Sequence, residues 1–418
     1  MIHRVKGTQD LLAGEIEKWQ FLEEKARNLL ARYGYSEIRT PIFEETELFA
    51  RSIGADTDIV QKEMYTFPDR NAKSLTLRPE GTAPVVRASA ENNLFAAGGT
   101  LKLFYIGPMF RYERPQKGRY RQFHQIGAEV LGSDHPAVDA EVMEMMVRFL
   151  EELEIRNSQL HLNSIGCPRC RPAYLEALNR AIAAILPNLC ADCKRRAVTN
   201  PLRVLDCKVE ADQPYINSLP SSAAYLCEEC RSHFSEVQRL LGKQGVHFQQ
   251  NPRLVRGLDY YEKTTFEITS SSLGAQNALL GGGRYDGLSQ SIGGPPVSGF
   301  GFALGQERFI LALPESPQHR ARPQVYLAPL GPESFDFAVE LASQLRRNQV
   351  VTILEFEDRS LKSQLRQADK LKAEFALIFG KNELENRALQ CKNMSTGHQL
   401  TIPAKIEAIL AAISGVAD

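Results

Sequence analysis

Apolar residues recur at helical spacing over Gly14–Tyr33, where Ile16, Trp19, Leu22, Ala26, Leu29, Leu30 and Tyr33 share one face. Positions three and four apart stack along a helix, so this stripe predicts a helix that buries one side, with Gly34 as its stop. A second stripe, Val142, Met145, Met146, Phe149, Leu150 and Leu153, predicts a helix over Asp139–Leu153. Between them the pattern changes period. Leu75–Leu77, Lys102–Ile106 and Phe123–Val130 are short, apolar or alternating, and bounded by Gly or Pro, which is the pattern of strands. Thr265–Thr269 and Gly299–Leu304 are later strands of the same kind. Strands mixed with helices, without regular βαβ alternation, predict an α+β domain on an antiparallel sheet.

Two shifts in the pattern divide the chain. From about Cys167 to Gln250 strand signals fade, and helical patterning with cysteine pairs takes over, which predicts a helical module inserted at 167–250. The second shift is the polar, Pro-containing stretch Leu313–Pro323, read as a linker. Beyond it the order is strand Val325–Leu327, helix Phe335–Arg347, strand Val350–Phe356, helix Ser360–Leu371 and strand Phe375–Phe379. That alternation predicts a small α/β domain with a mostly parallel sheet, and Asp358 or Ser360 as the N-cap of its second helix. The expected domains are therefore 1–320, carrying the insertion, and 321–418.

Composition narrows the partners. Lys+Arg and Asp+Glu both number 50, so the formal charge is zero, which argues against a protein that coats nucleic acid non-specifically. A local basic groove remains compatible with that balance. The opening MIHRVKGTQDLLAGEIEKW lacks the apolar core of a signal peptide, and no run of about 18 apolar residues follows, so a cytoplasmic protein without a membrane partner is expected. Eight cysteines in such a protein suit thiols or metal ligands better than disulfides.

The densest chemistry lies in Phe110–Leu131, FRYERPQKGRYRQFHQIGAEVL. Arg111, Arg114, Lys117, Arg119 and Arg121 surround a Pro-Gln-Lys-Gly turn, with Glu113 as the one acid among them. The reading is strand, basic loop, strand. Guanidinium forks make paired, charge-assisted hydrogen bonds to phosphate oxygens. Phe123, Gln125 and Glu129 share a parity on the returning strand, so an aromatic and two polar side chains face one side. A nucleotide with a small polar substrate would suit that set. A solvated basic hairpin would give the same composition. Two further stretches stand out: Leu254–Glu262 (LVRGLDYYE), with Arg256 beside two tyrosines in a strand-like setting, and Ala278–Leu288 (ALLGGGRYDGL), whose glycines would admit close backbone approach to a ligand or form a plain turn.

The arrangement F-R-x-E-R, basic loop, G-R-Y-R-Q-F-H-Q resembles the second signature motif of class II aminoacyl-tRNA synthetases in its histidyl form. Gly299–Arg308 (GFGFALGQER) is similar to the third motif and Gly34–Pro41 (GYSEIRTP) to the first. RGLDYY, GGGRYDGL and Leu77–Ala83 (LRPEGTA) resemble the stretches specific to the histidyl branch. The resemblance covers essentially the whole chain. It implies a class II antiparallel-sheet catalytic domain and a C-terminal anticodon-binding domain. It also implies a homodimer, with the first motif at its interface.

By the same resemblance, Arg111 would hold the ATP α-phosphate and substrate carboxylate, and Arg256 would contact the α-phosphate during activation. Phe123 would stack on adenine, Arg119 would add a phosphate contact, and Arg308 would meet the γ-phosphate. Gln125 is shared by the ATP and histidine sites. Glu80, Gly81 and Thr82 would bind the histidine α-amino group, and Glu129, Tyr260, Tyr261 and Tyr285 would complete the histidine pocket. The implied partners are L-histidine, ATP with Mg²⁺, and tRNA(His).

Cys167–Cys170, Cys190–Cys193 and Cys227–Cys230 are three C-x-x-C pairs, with Cys207 between the last two. Two such pairs form a Cys₄ zinc spacing, and which two is left open by the sequence. Unliganded thiols are the other reading. Cys391 stands apart as a packing residue. Three rivals to the catalytic reading are a histidine-binding regulatory paralogue that lacks catalysis, a class II synthetase for another amino acid, and a nucleic-acid-binding scaffold without catalysis, the last disfavoured by the zero net charge and the intact pocket residues. Arg111, Arg256, Arg308 and the α/β tail speak against the first, and RGLDYY with GGGRYDGL against the second.

Overall fold

The structure is a computed structural model that describes residues 1–54, 57–96, 98–273, 277–314 and 322–415. The chain divides into two compact units, Met1–Ser316 and Pro317–Asp418. Most of the expected linker, residues 315–321 with the expected 320/321 boundary, lies outside the described residues.

The first unit is built on an eight-stranded sheet. Its strand order is 36–37, 101–110, 122–131, 299–305, 278–284, 262–270, 158–164 and 248–250. The two outermost pairings are parallel and all the inner ones antiparallel. The helices Ile16–Arg32 and Pro136–Glu152 cover one face, and both bury their predicted stripes. Leu22, Leu29, Met145 and Phe149 pack there against Val130, Phe266, Phe300 and Phe302 of the sheet. Gly34 takes a left-handed φ of +79° just beyond the first helix, the conformation that ends a helix and suits glycine. A three-stranded sheet, in the order 43–45, 74–77, 65–68, lies in the same unit.

Two expectations fail here. Ala278–Arg284 is a strand in the middle of the large sheet, paired on both sides with register shifts against 262–270, rather than a loop. Three glycines carry no β-propensity, and pairing with both neighbours outweighs that deficit. Conversely, Leu254–Tyr261 is not a strand; the strand begins at Glu262.

The insertion is helical as expected, with helices at Arg171–Ile185, Ala191–Thr199, Gln213–Ile216 and Glu228–Lys243 joined by 3₁₀ turns. It ends in the edge strand Phe248–Gln250.

The second unit has a five-stranded sheet in the order 352–354, 325–330, 375–380, 388–393, 399–403. The first three strands are parallel, and a hairpin, Ala388–Asn393 with Gln399–Pro403, adds two antiparallel strands. The sheet is therefore mixed rather than mostly parallel. The helix Phe335–Arg347 has its predicted bounds. Ser360, not Asp358, is the N-cap of the helix Leu361–Lys370, and its side chain makes no capping hydrogen bond. Cys391 is buried in this unit's core, as a packing residue should be.

Candidate active site

Strand register assembles the site. Directly opposed residues of antiparallel strands project to the same face. Gln125 lies opposite Gly107 and Gly305, Glu129 opposite Gly301, and Glu267 opposite Gly281. Small residues on that face leave a trough, and larger side chains lean over it. A Cβ on Gly301 would stand 1.8 Å from Glu129 Oε2, and one on Gly281 would stand 2.4 Å from the Arg256 guanidinium. A Cβ on Gly127 would strike the Tyr105 ring at 2.3 Å. Gly281, Gly301 and Gly127 make room for protein side chains, whereas a Cβ on Gly282 or Gly283 would first meet the backbone oxygens of Gly301 or Thr264 on the neighbouring strands.

Glu129 lies at the bottom, fully buried. Its carboxylate accepts hydrogen bonds from Thr82 Oγ1 at 2.7 Å and from the Tyr285 hydroxyl. Burial pushes its pKa up to about 8, against the lowering effect of those two donors. Glu80 is also buried and accepts from the backbone N–H groups of Thr82 at 2.6 Å and Ala83 at 3.0 Å, the open donors of the helix Thr82–Glu91. Burial raises its pKa too. Gly81 is required beside it because the Tyr105 ring fills the place of a Cβ. Tyr260 packs on Tyr261 and Tyr285 with ring centroids 4.7 and 5.7 Å apart. Burial raises the Tyr261 hydroxyl to about 12 and those of Tyr260 and Tyr285 well above the usual range. Seven of the eight residues expected around histidine thus come from four separate stretches into one largely buried cluster, and Gln125 shares the strand face of Glu129.

Arg111 lies near Glu80 and Arg256 near Tyr261 of this cluster. Arg111 is held by a hydrogen bond from Nε to the Pro79 carbonyl at 2.8 Å, with its guanidinium 5.4 Å from the Phe123 ring. Glu113 bridges Arg111 and Arg119 at 3.9 and 3.3 Å. Arg256 donates to Glu267 at 2.6 Å. Burial and the charge of Arg119 both lower the pKa of Arg308, so these two like charges act on one another. Convergent guanidinium groups are unfavourable without an anion and suit a polyphosphate. Gln125 Oε1 and Arg256 Nε are buried with no hydrogen-bond partner among the described residues, as polar atoms facing a ligand site would be. Arg114 and Lys117 of the basic loop are exposed, so the loop divides into pocket and solvent residues.

Sequence reasoning missed Tyr105, Glu267 and three arginines of the insertion. Arg195, Arg196 and Arg203 line the same cleft as Arg111, Glu113 and Arg119. No motif marks them; only the return of the insertion over the sheet does.

The cysteines sort into two groups. Cys167, Cys170, Cys227 and Cys230 form one, with Sγ–Sγ separations of 3.8 Å for Cys167–Cys170 and 3.9 Å for Cys167–Cys227 and Cys170–Cys230. Cys190, Cys193 and Cys207 form another, with Asp212.

Comparison with known proteins agrees with this architecture. The family model for histidyl-tRNA synthetase matches residues 7–309, and that for the anticodon binding domain matches residues 324–413. The histidine–tRNA ligase of Geobacter sulfurreducens is 50% identical over 415 residues, 99% of this chain and 100% of that one. The histidine–tRNA ligase of Syntrophotalea carbinolica is 50% identical over 398 residues, 95% of each chain. Among solved structures, apo histidyl-tRNA synthetase from S. aureus has a TM-score of 0.82 at 36% identity, covering 99% of both chains. A chain from Bacillus halodurans, described as an ATP phosphoribosyltransferase regulatory subunit/histidyl-tRNA synthetase, has a TM-score of 0.67 over 91% of this chain and 98% of its own. At 19% identity it shows the fold alone. On the match across both units and the identity over nearly its full length, the chain belongs to the histidyl-tRNA synthetase family.

Proposed function

We propose that this protein activates L-histidine with ATP, releasing pyrophosphate, and transfers the histidyl group to the 3′ end of tRNA(His). The observation that carries the reading is the buried Glu129 carboxylate, oriented by Thr82 and Tyr285 on the same sheet face as Gln125 and Glu267. Glu129 and a tyrosine hydroxyl read the two imidazole nitrogens. A buried polar pocket of this kind rejects side chains that cannot return its hydrogen bonds. Glu80, Gly81 and Thr82 receive the α-amino group, and Gln125 completes the pocket. The adenine stacks on Phe123, while Arg111, Arg119, Arg256 and Arg308 hold the phosphates.

The histidine carboxylate attacks the α-phosphorus and the bond to the pyrophosphate oxygen breaks. Negative charge grows on the non-bridging oxygens, where Arg111 and Arg256 are already in place to stabilise it. A terminal ribose hydroxyl of the tRNA then attacks the adenylate carbonyl, and AMP leaves. No protein nucleophile takes part; the residues position and neutralise. Mg²⁺ bound with ATP would offset phosphate charge, and Glu113 and Glu267, set among the arginines, are the carboxylates that would supply hard oxygen donors.

The thiols Cys167, Cys170, Cys227 and Cys230 hold a structural zinc. Their separations of 3.8–3.9 Å suit the edge of a tetrahedron with Zn–S bonds of about 2.3 Å. The exposed Ile42 and Phe43, next to the first motif, support an apolar dimer surface. No described helix is long and apolar enough to cross a membrane.

Pyrophosphate–ATP exchange measured with each of the twenty amino acids tests the reading. Exchange is expected with histidine alone. Histidine binding without exchange would instead identify a regulatory paralogue.

A further inference from the structure

We propose that Cys190, Cys193, Cys207 and Asp212 form a second metal site, suited to zinc, that fixes the arginine-bearing helix Ala191–Thr199 at the mouth of the phosphate cleft. The four ligand atoms lie within 4.8 Å of one another. Cys190 Sγ is 4.0 Å from Cys207 Sγ, and Cys207 Sγ is 3.3 Å from Asp212 Oδ2. A tetrahedral Zn²⁺ with three thiolates and one carboxylate oxygen requires separations of about 3.3–3.8 Å, so sub-ångström movements close the site. Cys193, Cys207 and Asp212 are buried.

Backbone N–H groups face two of the sulfur atoms. The Cys193 N–H points to Cys190 Sγ at 3.5 Å and the Val209 N–H to Cys207 Sγ at 3.4 Å. Backbone donors of this kind orient and stabilise sulfur ligands. Both Asp212 oxygens accept from the Cys190 N–H at 3.1 Å, which aims the carboxylate at the cysteine triad.

The location gives the site a task. The distal part of the insertion has a small core of its own, including Tyr174, Leu178, Ile182, Val204 and Ile216. Small cores gain order from a metal staple. Cys190 is the N-cap of the helix that carries Arg195 and Arg196, and Cys207 follows the 3₁₀ turn that carries Arg203. These arginines line the same cleft as Arg111 and Arg119. The metal locks both segments together and thereby presents the upper, basic wall to the nucleotide polyphosphate. That last step rests on the proposed function; the metal site does not.

Zinc content of the full chain, purified under reducing conditions without chelator, tests the site by mass spectrometry. About two zinc ions per chain are expected, falling to about one in Cys207→Ser and about one in Cys230→Ser, which removes a ligand of the other cluster. Thiol titration of the denatured wild type should find all cysteines reduced. One zinc in the wild type that Cys207→Ser retains would overturn the second site, as would no zinc or a disulfide within the triad. For the positioning task, Cys207→Ser should raise KM for ATP in the exchange reaction several-fold with little change in KM for histidine. Equal KM values for ATP in variant and wild type would remove that task and leave the metal site standing on the zinc count.

Discussion

Glu129 concentrates the chemistry of a single residue. Its burial costs the charged form more than its two donors return, which places its pKa at about 8 rather than its ordinary 4.5. In the free protein the folded state therefore holds a proton that the unfolded state has lost between those values. Stability falls as pH rises through that window and levels off above about 8. Glu129→Gln should flatten this dependence in thermal melts, and it should weaken histidine binding by about 2 kcal/mol or more, roughly thirtyfold in Kd. Calorimetry on the two proteins checks it; an unchanged Kd would remove Glu129 from the pocket. In the proposed mechanism Arg256 acts at a different stage. Arg256→Ala should leave the protein folded and histidine weakly bound, yet lower the exchange rate by about 10²–10³-fold, the cost of one missing transition-state donor. A variant that exchanges normally would take Arg256 out of the mechanism.

At the scale of elements, a buried ion network ties the strand Ala278–Arg284 to the helix Pro136–Glu152. Arg284 is fully buried and pairs with Asp139 and, at 2.9 Å, with Asp286, while donating to the Ser133 carbonyl at 3.0 Å. His233 of the helix Glu228–Lys243 comes within 3.7 Å of Asp139. Asp139→Ala leaves a buried guanidinium short of its partner and should destabilise the fold by about 3–5 kcal/mol in urea titrations. Adding Arg284→Met should recover part of that loss, since it removes the stranded charge; a double variant as unstable as the single one would show that packing, not charge, dominates. The same strand shows the limit of reading elements from sequence. Helices with a long apolar stripe were legible, down to the bounds of Phe335–Arg347. GGGR carries no alternation, so its place in mid-sheet depends on neighbours far along the chain.

The whole molecule contains two units with separate cores; Val325, Leu327, Leu345, Leu377 and Phe379 belong to that of the second. Each unit buries its own apolar faces, so each has the means to fold alone. A chain ending at Ser316 should keep histidine-dependent pyrophosphate exchange and lose most tRNA charging. Parallel exchange and charging assays decide this. Undiminished charging would show that the second unit contributes nothing to tRNA use.

The sequence alone determined the kinds of residue available and the helices and strands with strong periodicity. Through its motifs it also determined the family and the stretches that supply the site. Those are local properties, set by spacing and side-chain chemistry along a continuous chain. Tertiary structure decided the meetings. Tyr285 reaches Glu129 across 156 positions and Thr82 reaches it across 47. They meet because the central sheet places 122–131, 299–305 and 278–284 side by side, an order that chain sequence does not follow. The cysteines obey the same rule. Spacing offered three equivalent pairs, and only the fold sets CPRC against CEEC and leaves CADC to Cys207 and Asp212. Asp212 had no signature at all, because an aspartate in a 3₁₀ turn acquires its chemistry from the thiols that folding brings to it.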